Sequence, residues 1–489
     1  MGFGSGAIFF LLLLISATVF GVIYTQRRGK VAFNTALLAF SFIIIGYSSY
    51  SMVVIRSLAN PPIDMNNPED PFNLVYYLNR EQYGDRPLLY GPYFTARPTG
   101  YELTNKKYAR VDKKYKMVSQ NFEYTFDKKD KVFFPRIYDI NDQSHAVGYR
   151  MWTGLGEKQQ PKFKHNIKFF VDYQLGWMYW RYFMWNFSGR QNDDQGMIGP
   201  VSGNWISGIT PLDEARLGPQ SNQPDSFMAN KGKNKYYMLP FILGLIGLVF
   251  HIKNARGDSF ILGILFLITG VVLILYLNPP PFEPRERDYV FVGSFQVFCT
   301  WIGLAVLALF TWLSTKMNKT SAAAVATVVC LLAAPTLMGS QNWDDHDRSN
   351  RYTAQSLSRS YLQSIQKDKG AIIFTIGDND TFALWYAQDI EGYRTDVRTI
   401  NSSLLGTDWY IDQMKRKTYE SEPIPSQMTH DLYAYGVRDV IRYQPVLDSV
   451  RWDIKDFMNW ISSDHPRTKI KDFLTRIGIL SDIEFDIPE

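Results

Sequence analysis

A short segment between two long apolar blocks has four charged residues of alternating sign: Arg285, Glu286, Arg287 and Asp288. Its two arginines could bind an anionic ligand. A guanidinium group binds phosphate through two parallel hydrogen bonds, so Arg285 and Arg287 could hold a phosphate group. The alternative is that these neighbouring charges neutralise one another in a short loop. A polar stretch that includes Arg190 could also contact a sugar or a phosphate, although its composition is equally typical of a plain loop.

An acidic pair, Asp378 and Asp380, follows an apolar run that begins after Gly370. In one class of glycosyltransferases, an Asp-x-Asp turn after a strand holds a divalent metal and a nucleotide-sugar, because two carboxylates converge on one hard cation. The pattern is short and common by chance, and two alternatives stay open. Asp378 or Asn379 caps a helix that begins near Thr381, with Asp380 favoured by the helix dipole, or the pair binds an acceptor or partner at the strand end.

Three aspartates and a histidine lie together in residues 344–347, which is a composition that could bind a cation. Neighbouring positions on a helix point in different directions, and Arg348 and Arg351 can neutralise these carboxylates. A structural role is therefore the preferred interpretation. The six histidines and two cysteines show no zinc-site spacing, and Cys299 and Cys330 lie in apolar blocks. We therefore expect neither a metal site nor a disulfide framework.

The elements that position these residues are long apolar blocks without charges, at residues 1–26, 31–55, 259–282, 289–315 and 320–343. About 20 apolar residues cross a hydrocarbon core about 30 Å thick, so most of these blocks are long enough to span a membrane. A shorter sixth block, 238–252, follows two tyrosines typical of a membrane boundary. The first block lacks the preceding basic residues of a signal peptide, which favours a true span.

The charges of the short connections predict the orientation. The connections 27–30, 253–258 and 316–319 carry net charges of +3, +1 and +2, whereas the loop 283–288 carries −1. Short loops rich in Lys and Arg remain in the cytoplasm, so Arg27 is predicted to lie on the cytoplasmic side. Both large polar regions then lie outside.

The resulting fold class is an α-helical membrane bundle of about six spans with a mixed α+β external region and a small C-terminal α/β domain. The predicted division is 1–55 for two transmembrane helices, 56–235 for the external region, 236–338 for four transmembrane helices, and 339–489 for the external α/β domain. In the last domain, a helix over 352–366 precedes a βαβ unit: a buried parallel strand over 370–377, a helix over 382–389 and a strand over 395–401.

The external region is predicted to contain a short helix over 73–81, a β-hairpin around 122–126 and an aromatic helix over 166–187. Lysines alternate with aromatic residues before and within the hairpin, but the alternation is typical of a half-exposed hairpin rather than of nucleic-acid binding. Ten aromatic residues crowd the aromatic helix, which favours a helix lying at the membrane boundary against the bundle. An ordinary aromatic core helix is the alternative.

Six motifs recur in this order in one family, and they cover nearly the whole chain: NPPID (60–64), REQYGDR (80–86), YWRYFMWN (179–186), RERDY (285–289), WDDHDR (343–348) and GDNDTF (377–382). On these motifs the chain resembles large bacterial membrane proteins of an unknown-function domain, which are similar to a eukaryotic protein O-mannosyltransferase of the GT-C superfamily. The resemblance implies a bacterial inner-membrane glycosyltransferase homologue with a polyprenyl-phosphate sugar donor and a protein acceptor in the periplasm.

One departure from the family concerns catalysis. GT-C enzymes place a catalytic acidic residue in the first external loop after the first span, whereas the first span here leads into the cytoplasmic loop at Arg27. The chain resembles the C-terminal part of the longer family members, so we expect it to need an N-terminal partner half and not to transfer sugar alone. The alternative function is a non-enzymatic envelope assembly or transport component. Ionisable residues inside spans would favour transport, and only His251, at a span end, is of this kind.

The orientation is testable by labelling. Cysteine introduced at Ser221 or Ser426 should react with a membrane-impermeant thiol reagent in intact spheroplasts, whereas cysteine at Gly29 should not. Labelling at Gly29 alone would reverse the predicted orientation.

Overall fold

The computed structural model describes residues 3–81, 87–111, 114–137, 142–196, 199–220, 223–283, 285–367, 370–434, 451–463 and 465. The chain forms two compact units, which do not follow the predicted chain-order boundaries. Unit 1 comprises Met1–Gly84, Thr104–Asn121 and Tyr352–Glu489, and unit 2 comprises Asp85–Leu103 and Phe122–Arg351. Most of the REQYGDR motif and the labelling position Ser221 lie outside the described residues.

Four helices are long and apolar enough to cross a membrane: Val31–Leu58, Arg256–Leu277, Asp288–Leu313 and Lys319–Asp344. Two further apolar helices, Leu12–Arg27 and Leu239–Asn254, are shorter than this criterion requires. The structure therefore confirms apolar candidate spans at four of the predicted positions. The total of six spans remains a prediction.

The first two helices of unit 1, Phe3–Arg27 and Val31–Leu58, form a hairpin. The turn between them uses Gly29 at a φ of +64°, a backbone conformation that glycine adopts without a steric penalty. The side-chain Nδ2 of Asn34 donates to the carbonyl oxygen of Val22 at 2.9 Å and to the hydroxyl of Thr25 at 3.1 Å. These bonds join the two helices beside the turn.

The NPPID motif connects the second of these helices to the C-terminal domain of unit 1. The Ser57 hydroxyl donates to the buried Asp64 carboxylate at 2.8 Å, and the Gln413 side chain donates to the Asp64 carbonyl oxygen at 2.7 Å. The Arg416 guanidinium also donates to the Asn60 side chain. Burial raises the pKa of Asp64, while the hydrogen bond from Ser57 and the charge of Arg416 oppose the rise. The motif is therefore an anchor in which both polar side chains, Asn60 and Asp64, have partners.

The helix after this anchor, Pro71–Asn79, is positioned by its ends and by a hairpin. Asp70 caps it by accepting from the backbone N–H groups of Phe72 and Asn73. The hairpin strands are Gly100–Val111 and Lys114–Thr125. The ring of Phe72 packs against Tyr108, with 5.4 Å between ring centroids. The predicted short helix and the predicted hairpin are both confirmed, the helix two residues earlier at each end.

The C-terminal domain contains the predicted βαβ unit. Strands Ile372–Thr375 and Arg398–Asn401 are parallel, and Ile372 pairs with Arg398. Between them a helix runs through Asp378–Trp385 and continues as Tyr386–Ile390 with wider π-helical turns. The helix Thr353–Gln363 precedes the unit, and Leu362, Leu384, Ala387 and Val397 form its core.

Two details of this domain were predicted wrongly. The first strand is not buried: Ile372, Phe374 and Ile376 are exposed on one face, and Phe374 keeps 63% of its surface. The helix begins at Asp378, after Gly377 at a φ of +79°, and no side chain caps it. Asp378 and Asn379 therefore lie in its first turn and are not caps. The predicted favourable dipole position of Asp380 fits, since its carboxylate also lies in the first turn.

Three shorter helices complete the described part of this unit: Asp408–Met414, His430–Ala434 and Ile454–Ser462. The Arg398 guanidinium donates to the carbonyl oxygens of Gln413, Met414 and Arg416, which satisfies the C-terminal end of the first of these helices. The second helix is held to the first by Asp412, whose carboxylate lies 2.8 Å from His430 Nδ1 and accepts from the Tyr433 hydroxyl at 2.5 Å.

Unit 2 is built around a helix that runs through Phe163–Phe169, Phe170–Arg181 and Tyr182–Phe187, with π-helical turns in the middle segment. Before this helix, the strand Tyr90–Pro92 pairs antiparallel with Lys131–Phe133, and the 3₁₀ turn Lys128–Asp130 and the helix Gln143–Thr153 lie nearby in the chain. After it, the strand Gly189–Arg190 pairs antiparallel with Asn234–Lys235, and the helices Thr210–Leu217 and Asp225–Met228 lie between these two strands in the chain.

The apolar helices of unit 2 begin with Leu239–Asn254 and Arg256–Leu277, the second of which has a π-helical stretch at Ile268–Val272. They continue with Asp288–Leu313 and with one continuous run through Lys319–Leu331, Leu332–Thr336 and Leu337–His346. The helix Leu239–Asn254 lies closely against Asp288–Leu313. At Gly247 the approach leaves no room for a side chain, since a Cβ there would lie 1.7 Å from the carbonyl oxygen of Trp301. Pro335 lies in the widened stretch, where its missing N–H removes a helical hydrogen bond.

The aromatic helix is largely buried. Two buried clusters hold its aromatic side chains together with residues of the helices Arg256–Leu277 and Asp288–Leu313. The buried aromatic residues of the helix in these clusters are Phe169, Tyr173, Tyr179, Phe183 and Phe187. Its Gln174 side chain donates to Asn278 Oδ1 at 2.9 Å and to the carbonyl oxygen of Pro279 at 3.0 Å. The helix packs against the bundle as predicted, and the burial of these side chains favours the aromatic core helix that the sequence left as an alternative.

The Asp412–His430 contact predicts a pH-dependent local stability. The hydrogen bond from Asp412 raises the pKa of His430, so its stabilising effect is complete below the ordinary histidine pKa and is lost as the pH rises through the folded-state pKa. Burial opposes the lowering of the pKa of Asp412, but hydrogen bonds from His430 and Tyr433 outweigh it. The protection factors of residues 430–434 in the full chain, which correct for the intrinsic pH dependence of amide exchange, should therefore fall as the pH rises above about 6.5. Asp412→Asn should remove this fall, and an unchanged pH dependence of the protection factors in that variant would contradict the assignment.

Candidate functional site

A large cavity of unit 2 lies where the ends of three helices meet, and its volume is about 1150 Å³. The aromatic helix contributes Tyr182, Trp185 and Asn186 from its C-terminal end. The helix Asp288–Leu313 contributes its N-terminus together with Arg285 and Glu286, and the helix that ends at His346 contributes its last turns. Because two of these helices are candidate spans joined by a short connection at the opposite end, the cavity lies at one end of both spans.

Three of the six recurring motifs line this cavity: YWRYFMWN, RERDY and WDDHDR. They are separated by about a hundred and then fifty residues in the chain, and only the fold brings them together. Arg190, Asp193 and Gln195 of the predicted polar stretch also line it. Four of the predicted ligand residues, Arg190, Arg285, Glu286 and Asp288, therefore lie on one cavity, and their binding of a ligand stays a prediction.

A buried ion pair joins the lining residue Glu286 to Arg181 of the aromatic helix. The Arg181 guanidinium, 3% exposed, pairs with the Glu286 carboxylate and donates to the carbonyl oxygen of Gly203 at 2.6 Å. The guanidinium also lies over the rings of Trp177 and Trp185, at 4.1 and 4.4 Å from their centroids. Burial lowers the pKa of Arg181, and the charge of Glu286 opposes the fall. Glu286 is thus committed to Arg181 and does not present a free carboxylate.

The four predicted charges of residues 285–288 have different environments. Arg287 pairs with Glu283 at 2.6 Å and is not a lining residue of the cavity, so the predicted phosphate contact fits Arg285 alone. Arg285 is exposed on the cavity and forms no ion pair or side-chain hydrogen bond with the described residues. Asp288 accepts from the backbone N–H of Tyr289 at the helix start. Among the described residues, Arg287 and Glu286 thus have partners outside the four predicted charges, Glu283 and Arg181, and no ion pair joins two of the four.

Two further cations lie on the cavity. The Arg190 guanidinium also lies over the Trp185 ring, 4.5 Å from its centroid, and its Nε donates to the carbonyl oxygen of Asn192. Arg348 is exposed and, among the described residues, has no side-chain hydrogen bond or ion pair. Burial and the charge of Asp288 raise the pKa of Tyr182 to about 12, so its hydroxyl is neutral at physiological pH.

The last turn of the helix ending at His346 supplies the remaining polar groups. His346 Nδ1 lies 3.0 Å from the carbonyl oxygen of Asn342. The Asp347 carboxylate accepts from the backbone N–H and the hydroxyl of Ser349, and the hydroxyl bond lowers the pKa of Asp347 most. Within the described ranges, no group of three or more His, Cys, Asp and Glu side chains could hold a metal ion. The structural role of residues 344–347 stays a prediction.

Asp378 and Asp380 belong to the other unit and do not line the cavity of unit 2. A small cavity of about 40 Å³ in unit 1 is lined by the NPPID segment and the C-terminal domain. Arg398 Nε and Gln413 Oε1, two buried atoms of its lining residues, have no hydrogen-bond partner in the structure. A donor and an acceptor in a space of this size fit ordered water rather than a sugar.

Sequence reasoning did not find the counter-ion of Arg181, considered His346 only for a cation site, and treated Arg348 only as a neutralising charge. Arg181 is the one charged residue of 173–187, the most aromatic part of the chain, and this was the available signal. A charge among ten aromatic residues is costly to bury unless a counter-ion reaches it. That counter-ion, Glu286, is more than a hundred residues away, which no local pattern reveals.

Two known families match parts of the chain. Residues 354–485 match TMEM260-associated domain 2, and residues 84–171 match a family of unknown function, DUF8416. No curated protein and no solved structure matches the chain. The first match covers the C-terminal α/β domain of unit 1, and the second covers the segment before and into the aromatic helix. Neither match reaches the loop at 285–288 or the helix that ends at His346.

The buried pair predicts unequal effects of two neighbouring carboxylates. Glu286→Ala should lower the free energy of unfolding of the full chain in detergent by about 3 kcal/mol, because it leaves the Arg181 charge buried and unpaired. The matched control is Glu283→Ala, whose partner Arg287 is half-exposed; it should cost about 1 kcal/mol or less. Equal losses in chemical unfolding of the two variants would show that Arg181 does not depend on Glu286.

Proposed function

We propose that this chain is a GT-C-like membrane glycosyltransferase homologue that binds a polyprenyl-phosphate sugar in the cavity of unit 2 and acts outside the cytoplasm on a protein acceptor. The observation that carries the proposal is the meeting of three recurring motifs at one cavity of about 1150 Å³ at the ends of two candidate spans. A lipid-linked donor has its phosphate at this level, where apolar helices end and polar loops begin.

Two arginines of the cavity have guanidinium groups that suit the donor phosphate. Arg285 and Arg348 are exposed on the cavity, and each has its guanidinium donors unused by the described residues. Arg190 is already stacked on Trp185 and bonded to Asn192, so it serves less well. Guanidinium groups bind phosphate oxygens through paired, charge-assisted hydrogen bonds. We therefore assign the donor phosphate to Arg285 and Arg348.

Aromatic side chains of the cavity suit the sugar and the lipid of the donor. Tyr182 and Trp185 line the cavity, and Trp343 lies at the end of the span Lys319–Asp344 with 79% of its surface exposed. Aromatic rings present flat apolar faces with a polar edge, which suits both the apolar face of a sugar ring and a membrane boundary. The cavity therefore combines guanidinium groups for a phosphate with aromatic faces for a glycosyl group.

The test is binding of polyprenyl phosphate to the full chain in detergent, measured by native mass spectrometry at several lipid concentrations. Arg285→Ala and Arg348→Ala should each weaken binding about ten-fold, since each removes charge-assisted hydrogen bonds. The matched control is Arg287→Ala, which removes the same charge two residues from Arg285. Because the Arg287 side chain is already paired with Glu283, this variant should change binding less than two-fold.

Neutral polyprenol provides the second control, because it shares the lipid chain and lacks the phosphate. Its binding should be weak and independent of Arg285 and Arg348. Equally tight binding of polyprenol, or an equal loss in the Arg287→Ala variant, would contradict the assigned phosphate site and leave the envelope or transport component as the better function.

A further inference from the structure

The imidazole of His346 is held by one hydrogen bond that decides which of its nitrogens carries the proton. Nδ1 lies 3.0 Å from the carbonyl oxygen of Asn342, and a carbonyl oxygen can only accept. Nδ1 is therefore the protonated nitrogen, and in the neutral ring Nε2 is an acceptor without a hydrogen. His346 is exposed on the cavity, and no described residue forms a side-chain hydrogen bond with Nε2.

The residue that orients His346 is itself fixed. The Asn342 side chain donates to the Tyr236 hydroxyl at 2.5 Å and to the Met338 carbonyl oxygen at 2.7 Å. Its Oδ1 accepts from the Asn234 side chain at 2.9 Å. The helix turn that carries His346 is thereby attached to the strand Asn234–Lys235, so the imidazole is presented from a rigid support.

The cavity therefore holds two kinds of unused hydrogen-bonding groups. Arg285 and Arg348 offer only donors, which suit phosphate oxygens. The Nε2 atom of a neutral His346 offers only an acceptor, which an ionised phosphate cannot use but a hydroxyl can. The side-chain amides of Asn186, Gln195 and Asn342 donate to other protein groups. An acceptor without a described partner, in the same cavity as two guanidinium groups suited to phosphate, points to a ligand that carries both a hydroxyl and a phosphate.

We infer that His346 Nε2 accepts a hydrogen bond from a hydroxyl of the glycosyl group and so selects a glycosylated polyprenyl phosphate over the bare lipid phosphate. This inference rests on the proposed function, because it uses the phosphate site at Arg285 and Arg348 to place the lipid. His346 then distinguishes the donor from the lipid product that remains after the sugar has left.

The experiment compares two lipids and two substitutions in the full chain. The lipids are polyprenyl-phosphate-mannose and polyprenyl phosphate, with polyprenyl-phosphate-glucose as a second glycosylated probe. His346→Asn places an amide nitrogen near the position of Nδ1 and lacks the Nε2 acceptor, whereas His346→Gln carries an amide near the position of Nε2. The bond to Asn342 is kept in the first variant, so its unfolding should match that of the unaltered chain.

The unaltered chain should bind at least one glycosylated lipid about five-fold more tightly than polyprenyl phosphate. His346→Asn should abolish this preference and leave polyprenyl phosphate binding within two-fold, and His346→Gln should restore part of it. Equal weakening of both lipids by His346→Asn would overturn the inference, as would the absence of any preference in the unaltered chain. A chain that binds polyprenyl phosphate through Arg285 and Arg348 without such a preference would keep the proposed function and remove the role of His346.

Discussion

The ion pair between Arg181 and Glu286 is the interaction on which the cavity depends. A guanidinium that is almost fully buried needs a counter-ion and filled hydrogen bonds, because an uncompensated charge in a poorly polarisable interior is strongly destabilising. Arg181 meets this need by contacting the loop at Glu286, the loop at Gly203 and two tryptophans of its own helix. The pairing therefore fixes the loop that carries Arg285 relative to the aromatic helix, and the exposed Arg285 side chain is placed by a buried contact to its neighbour.

Four of the six motifs that carry the family resemblance divide into two kinds once their contacts are known. Three of them line the cavity of unit 2, where Arg285, Arg348 and His346 have hydrogen-bonding groups that no described residue uses. In the NPPID motif, by contrast, both polar side chains have partners: the Asp64 carboxylate accepts from Ser57, and the Asn60 side chain accepts from Arg416. A motif whose groups are all used in the fold is an anchor, whereas a motif with exposed and unused groups is a candidate for binding. Sequence recurrence alone does not separate the two.

The sequence predicted elements well where the signal is local. The apolar blocks predicted the candidate spans, and the alternation around Phe122 predicted the hairpin. It failed where distant contacts decide. The apolar run at 370–377 has the composition of a buried strand, yet one face of it is exposed, because burial depends on what packs there. Gly377 with a positive φ, rather than Asp378, precedes the helix, since backbone geometry can replace a side-chain cap.

The candidate site was predictable to the same extent. Arg190 and the loop at 285–288 were identified from residue type, and they share a cavity. The difference between Arg285 and Arg287 could not be predicted, because it depends on which of the two reaches Glu283. The hydrogen bond that orients His346 is local, between positions four apart on one helix, but its meaning depends on the cavity that the other motifs complete.

The exposed row of Ile372, Phe374 and Ile376 has a consequence for the chain in the cell and in the laboratory. The carbonyl oxygens of Ala371 and Thr375 accept from the neighbouring strand, so the backbone groups of Phe374 point to the other edge, where the described residues add no strand. An apolar face beside an open edge is a template on which a second chain can add by main-chain pairing. A fragment that contains this domain alone would therefore tend to self-associate through the open edge of this strand. The same edge is a risk in newly made chains until the domain has folded.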